Sequence, residues 1–361
     1  MSNSFQEMLF SKRSLKFIGG QVVFGCQKAD QWREDVVFED ETIISGEHSI
    51  GDRETGDIGE FEGLIQSYSG LSLTFQSDIY NAFSGLARFI KAELKANLCH
   101  GIPGAYFDWF LLWEPLKPQT RRPHAPSWSW SGWIGASWPR IWDWYTRSVS
   151  KIQKAQRKRT WIIWYHRIAH DSTECALVWK PKKHSSSNPR NFYGGPISRD
   201  RFSLDCTVTA PTPRKLVGAP AYYKDILSPI PGSGFLQFWT VSVTFRLDTP
   251  TSKADTRGPE KKLFRLGIFG RDGYEVGIVS VNKTWWNDGI PRTQEFILLC
   301  EGRDVRAEGG REDEEDGWKY RVMLIEWHGE WAERVAVGSI EKQYLNQALG
   351  AGPTWKEIVL G

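Results

Sequence analysis

Residues 126–133 have the sequence PSWSWSGW, in which indole side chains alternate with small ones. In an extended strand, this alternation places large apolar rings on one face and small polar groups on the other. We therefore predict a half-buried strand here. The chain carries 19 tryptophans, whose large apolar surfaces favour the interior, so we expect this segment to be a packing centre around which other elements gather.

The composition is that of a globular chain. Of its 361 residues, 40% are hydrophobic and 25% are charged, and the length leaves room for two or three packed units. The 46 basic residues nearly balance the 43 acidic ones, for a net charge of +3. This balance gives no electrostatic footprint for a nucleic acid or an anionic membrane, and we expect neither as a partner.

Cysteine usage and the first residues indicate the compartment. The five cysteines are odd in number, widely scattered and never arranged as CxxC, which argues against a disulfide framework and a structural zinc site. No run of 18 apolar residues exists, and residues 1–10 lack the apolar core of a signal peptide. We expect a cytoplasmic protein that is neither exported nor membrane-spanning.

Helices are predicted in the first third of the chain. Apolar side chains recur at intervals of three and four residues from Ile79 to Leu98, and Ser77 or Asp78 is placed to cap this helix. A second helix is predicted over residues 105–113, before Pro115. Residues 45–60, rich in Gly, Asp and Glu, predict a solvated loop.

Strands are predicted mainly beyond Pro126. The β-branched and aromatic runs cover residues 161–165, 202–209, 235–247, 263–269, 274–281, 296–300 and 320–327. Near the start, residues 15–18 and 21–24 flank a Gly-Gly turn and predict a hairpin. We therefore predict an α+β fold, in which a short helical N-terminal part packs on a large β-rich, sandwich or barrel-like C-terminal domain.

The order of several short motifs resembles that of fungal heterokaryon incompatibility (HET) proteins. The motifs that resemble the end of the HET domain are Gln6-Glu7, Leu9-x-Ser11-x-Arg13, Leu15-x-Phe17 and Val23-Phe24-x-Cys26. Those that resemble the region after this domain are Tyr68-Ser69, Leu73-Thr74, Ala82-Phe83-Ser84-Gly85-Leu86, Leu111-Leu112-Trp113 and the motif at 125–131. Residues 322–327, 332–338 and 358–361 fit the same proteins, so the resemblance runs nearly end to end.

The resemblance implies a domain division and a function. It implies a C-terminal HET remnant of a helix plus a β-hairpin at residues 1–44, a helical region at 45–125 and a β-rich domain at 126–361, with most of the HET core upstream of Met1. The implied function is allorecognition, in which contact between incompatible fungal cells leads to programmed cell death, a form of innate immunity. In this interpretation the chain is a scaffold or sensing region with a protein partner in incompatibility signalling.

An enzyme is the first alternative that the resemblance implies. HET domains are similar in fold to TIR domains, some of which cleave NAD. Glu7 aligns to a HET motif and is therefore the candidate catalytic residue, although we favour a capping or salt-bridge role for it. The chain has no G-x-S-x-G elbow, dinucleotide fingerprint or P-loop, so we expect no cofactor.

Two further patterns are candidate sites. His166 and His170 have the i, i+4 spacing of a helical metal site, but they follow a strand-like run, on which they would stand about 13 Å apart, and we expect no metal there. Trp285 and Trp286 offer indole faces on which a sugar could stack, as in a carbohydrate-binding β-sandwich module. The interpretation that we favour for this pair is burial in the core.

Overall fold

Helices and a large antiparallel sheet follow one another along the chain. The computed structural model describes residues 10–18, 21–26, 29–33, 58–138, 158–169, 171–181, 188–194, 202–250, 263–286, 289–303 and 318–361. The α-helices within these residues are α1 (Ile58–Ser69), α2 (Ile79–Leu94) and α3 (Phe107–Phe110). The first strands are β1 (Arg13–Ile18), β2 (Gln21–Cys26), β3 (Ala29–Arg33), β4 (Leu98–Cys99), β5 (Ile102–Pro103), β6 (Glu114–Pro115), β7 (Thr120–Arg121), β8 (Trp133–Ile134) and β9 (Ser137–Trp138). The remaining strands are β10 (Tyr165–Arg167), β11 (Cys175–Leu177), β12 (Leu236–Asp248), β13 (Leu263–Phe269), β14 (Glu275–Asn282), β15 (Thr293–Arg303), β16 (Trp318–His328), β17 (Trp331–Glu341) and β18 (Thr354–Leu360).

Helix α2 confirms the clearest helical prediction. Its apolar stripe, which includes Phe83, Leu86 and Ile90, is buried, as the three- and four-residue spacing requires. Asp78 lies at the N-cap position, as predicted, but its side chain makes no capping hydrogen bond within the described chain. The helix ends at Leu94, short of the predicted Leu98, because the left-handed backbone of Lys95 stops the helical hydrogen-bond pattern.

Two predictions for the helical part of the chain, one of a loop and one of a helix, need correction. The predicted loop at residues 45–60 is wrong at its end, because α1 begins at Ile58; residues 45–57 lie outside the described residues. Phe61, Ile65 and Tyr68 bury one face of α1 at helical spacing. The predicted helix at 105–113 is reduced to the single turn of α3, preceded by a 3-10 turn.

The largest sheet closes on itself. Strand β12 pairs with β15 through Ser242–Arg246 and with β13 through Arg246–Asp248, on opposite edges. Because β13, β14, β17, β16 and β15 pair in that order, β12 completes a six-stranded antiparallel barrel. Strand β18 pairs with the first half of β12 and touches β17. The fold is therefore α+β and β-rich, as predicted.

Most strands predicted from the β-branched and aromatic runs are confirmed, and two of these runs are wrong. Residues 202–209 form no strand in the described structure, and residues 161–164 are buried irregular chain that becomes strand only at β10. The hairpin of β1 and β2 is confirmed, with Ile18 paired to Gln21. Strands β17 and β18 were not among the predicted ones, although they belong to the closed sheet.

The tryptophan-rich segment is a packing centre, but the prediction of a half-buried strand is wrong. Its backbone turns, with a 3-10 turn at Trp130–Gly132, before the short strand β8. Ser127, Trp128 and Ser129 are all fully buried, so neither set of alternating side chains faces solvent. A side chain at Gly132 would collide with the carbonyl oxygen of Pro126, and the tight curl therefore requires glycine.

One hydrophobic core runs through the helices, the tryptophan-rich segment and the closed sheet. Phe83 of α2 packs on Trp130 with ring centroids 4.9 Å apart, and Trp128 lies 5.6 Å from Phe107 of α3. Trp164 in turn lies 4.5 Å from Phe238 of β12.

The proposed division into domains at residues 44 and 125 stays a prediction. Within the described chain, none of the helices is both long and apolar enough to cross a membrane.

Candidate functional sites

The tryptophan-rich segment forms a hydrogen-bonded junction between distant parts of the chain. The backbone N–H and hydroxyl of Ser127 both donate to the carbonyl of the last residue, Gly361. The same hydroxyl accepts the backbone N–H of Arg334 in β17, at 2.7 Å. Trp128 donates its indole N–H to the carbonyl of Gly234, at 3.0 Å. The junction therefore holds β17, the chain's last residue and the start of β12 in one arrangement.

A buried polar cluster lies beside this junction. The Tyr80 hydroxyl lies 2.5 Å from Nδ1 of His100 and 3.2 Å from the Ser131 hydroxyl. The His100 backbone N–H donates to the carboxylate of Asp225 at 2.6 Å, and the Ser129 hydroxyl donates to the His100 carbonyl at 2.6 Å. His100 has a left-handed backbone with φ of 48°, which these bonds hold in place.

A thiol and a second imidazole complete the cluster. The rings of His100 and His166 meet edge to face, with centroids 5.4 Å apart. The Nε2 atom of His166 accepts the backbone N–H of Gly234 at 3.3 Å, which assigns the proton to Nδ1. That nitrogen faces the sulfur of Cys99 at 3.8 Å.

Burial sets the charges of this cluster. It lowers the pKa of His100 and of His166 to about 3, and it raises the pKa of the Cys99 thiol well above its ordinary value. Burial also raises the pKa of Asp225 to about 6, against the effect of the backbone donors that it accepts. Near neutral pH the thiol and both imidazoles are therefore uncharged. This arrangement suits packing better than nucleophilic catalysis, which needs a thiolate and access to substrate.

A cleft of about 430 Å³ opens where the tryptophan-rich segment meets β14, β16 and β17. This volume is within the usual range of small-molecule sites. The aromatic side chains of its wall come from Trp113, Trp133 and Trp285. Trp133 and Trp285 are half-buried, and their indole N–H groups donate to the Ser127 carbonyl at 2.8 Å and to Glu326 at 3.0 Å, so both rings are fixed.

Two guanidinium groups and two carboxylates line the same cleft. Arg121 pairs with Glu333 at 2.9 Å. Arg334 is buried, stacks on the ring of Trp113 at 3.7 Å and donates to the carbonyls of Leu111 and Trp113. Burial lowers the pKa of Arg334 to about 9, so the side chain remains a cation near neutral pH.

The structure separates the roles of the two predicted sugar-stacking residues. Trp285 lines the cleft, whereas Trp286 is not part of its described wall. The two rings stack with centroids 6.2 Å apart, and Arg292 lies 4.6 Å over the Trp286 ring. Both tryptophans are only half-buried, so the predicted burial of this pair in the core is correct only in part. Trp286 and Arg292 therefore support the ring of Trp285.

The other sequence-based candidates are less informative. Glu7 and His170 lie outside the described residues. His166 is buried in the polar cluster, and the i, i+4 pair is not tested because its second member is outside the described residues. Within the described chain, no group of three His, Cys, Asp or Glu side chains is placed to hold a metal ion.

Most residues of both sites carry no local signal in the sequence. Cys99 ends β4 and His100 follows it in the turn to β5, whereas Asp225 comes from a loop far along the chain, and no periodic pattern connects the three. Glu326 and Glu333 face each other only because β16 and β17 pair in that register.

Comparison of the whole chain with protein families, curated proteins and solved structures gives no match.

Proposed function

We propose that this chain is the scaffold or sensing region of a fungal heterokaryon incompatibility protein. In this proposal it acts in the cytoplasm, with a protein partner, in non-self recognition that ends in growth arrest or cell death. The observation that carries the proposal is the position of the motif at 125–131. This motif is one of those that resemble HET proteins, and it lies at the buried junction. A scaffold needs such a junction, because close packing there keeps separate surfaces at fixed positions.

The chemistry of the buried cluster supports a non-catalytic role. His100, His166 and Asp225 are almost completely covered by protein, and the histidines are neutral. A residue that binds or turns over a substrate needs an open path to it. The hydrogen bonds of this cluster instead tie the β4–β5 turn to the junction.

A hyphal fusion assay tests the recognition function. Strains that carry the chain, and strains from which its coding region has been deleted, are each paired with the same incompatible strain, and dead fused compartments are counted with a vital dye. We expect deletion from the responding strain, or Trp128→Ala at the junction, to abolish cell death. The control variant Trp239→Ala, at a half-buried ring away from the junction, keeps it. An unchanged death rate after deletion would overturn the proposal.

A second assay separates the scaffold from the NAD-cleaving alternative. The purified chain is incubated with NAD, and free nicotinamide is measured over time. We expect no turnover above the buffer control. Turnover that disappears in Glu7→Gln would sink the scaffold interpretation and make Glu7 a catalytic residue.

A further inference from the structure

The cleft described above has walls that are built before any ligand arrives. The indole N–H groups of Trp133 and Trp285 are occupied by Ser127 and Glu326. What these two rings present to the cleft is therefore aromatic carbon surface in a fixed orientation. Rigid aromatic surface binds with little loss of conformational entropy.

The ring of Trp285 is held in place by two neighbouring side chains. Trp286 stacks on it, and Arg292 covers the ring of Trp286. A half-exposed indole on a turn would otherwise be free to rotate, whereas this column limits the orientations of Trp285. The column explains why two consecutive tryptophans are found at this turn.

The charges of the cleft select against charged ligands. Arg121 and Glu333 neutralise each other at 2.9 Å, and the remaining Arg334 and Glu326 have opposite signs. Net attraction for a phosphate or a polycation is therefore small. The other polar side chains on the wall are amides and hydroxyls, from Gln119, Thr120, Ser280, Asn282 and Thr284.

A ligand that fits these walls has an apolar face for the indoles and neutral hydroxyl groups for the carboxylates and hydroxyls. A pyranose ring has both properties: its axial C–H groups form an apolar face, and its hydroxyls lie around the rim. We infer that the cleft between Trp133 and Trp285 binds a neutral saccharide, with Trp285 as the stacking surface and Glu326 and Glu333 as hydroxyl acceptors. This inference stands independently of the incompatibility function.

Calorimetric titration of the full chain tests the inference. The probes are cellobiose, maltose, mannobiose and N,N′-diacetylchitobiose, each up to about 10 mM, with inorganic phosphate as the charged comparison. We expect saturable binding of at least one disaccharide and none of phosphate. No binding by any of the four, or phosphate binding in preference to them, would overturn the inference.

Variants assign the binding to this cleft. Trp285→Ala is expected to weaken the binding at least about tenfold, which corresponds to about 1.4 kcal/mol. Glu326→Gln is expected to weaken it by a smaller factor, and Trp285→Phe to retain part of it. The matched control is Trp239→Ala, because Trp239 stacks on Trp355 outside the cleft wall. Equal affinity of wild type and Trp285→Ala, with both folded by circular dichroism, would also contradict the inference.

Discussion

Trp128 is the residue on which the junction depends most directly. It has 0% exposure, packs against Phe107 and His100, and donates its indole N–H to Gly234. Trp128→Phe leaves a void and an unpaired buried carbonyl, so we expect a loss of about 2–4 kcal/mol in the free energy of unfolding. Urea titration followed by circular dichroism measures the loss.

The control for this prediction is Trp239→Phe. Trp239 is half-buried and donates its indole N–H to Ala210 at 3.0 Å. Because water can reach this site, we expect its variant to lose about 1 kcal/mol or less. Equal losses in unfolding free energy at the two positions would show that the junction contributes no more to stability than the site of Trp239.

The two buried histidines make stability depend on pH. Their folded pKa of about 3 lies below the unfolded value of about 6.5. The unfolded chain therefore binds more protons between these values, and the contribution of each histidine is lost as the pH falls from about 6.5 towards 3. Asp225 acts in the opposite direction, because its folded pKa of about 6 is raised and its contribution is lost as the pH rises from about 4 to 6.

The variant His166→Gln isolates this effect. Between pH 7 and pH 5, wild type should lose about 2 kcal/mol of unfolding free energy relative to this variant. The difference between the two proteins, measured by urea titration at each pH, removes the contribution of Asp225 to first order. Parallel pH profiles would mean that His166 is not held neutral in the folded chain.

Strands β14 and β17 approach so closely at Gly277 that only glycine fits there. A Cβ atom at Gly277 would collide with the Ser339 carbonyl, in a pair of strands on which closure of the sheet depends. We expect Gly277→Ala to destabilise the protein by about 2 kcal/mol or more, by overpacking this contact. Thermal unfolding followed by circular dichroism would reveal it as a lower midpoint.

Gly63 is the comparison position, because a Cβ atom fits there without a collision. It lies inside helix α1, and nothing surrounds the position where a Cβ atom would stand. Since glycine is a poor helix former, we expect Gly63→Ala to raise the free energy of unfolding by about 0.5–1 kcal/mol. A loss at this position would contradict both the open space and the helical assignment of α1.

The correctly predicted elements are those with a local signal in the sequence. The apolar stripe of α2 follows one helical period over many residues, and β12 is a long run of β-branched and aromatic residues that is buried along most of its length. The PSWSWSGW segment shows the limit of that argument. Its alternation is real, but the serine hydroxyls have backbone and hydroxyl partners far along the chain or within the turn, so both faces are covered.

Both sites are formed by residues that are far apart in the sequence, so a single sequence gives little indication of them. The cleft combines side chains that closure of the sheet brings together, and of its aromatic wall only Trp285 was singled out as a binding residue. In the polar cluster, His166 meets Cys99 and His100 from a distant part of the chain. Pairings of this kind depend on tertiary folding, which no local propensity encodes.

The continuous core leads to a prediction for the molecule as a whole. Helices α1 and α2 bury their apolar faces in the same cluster as the strands of the closed sheet, through Trp128 and Trp130. Neither part therefore keeps a complete core when the other unfolds. We expect far-ultraviolet circular dichroism at 222 nm and tryptophan fluorescence to report the same urea midpoint, since separate probes coincide in a cooperative transition. Two separated midpoints, with the helical signal lost first, would show instead that the region before residue 126 folds as an independent unit.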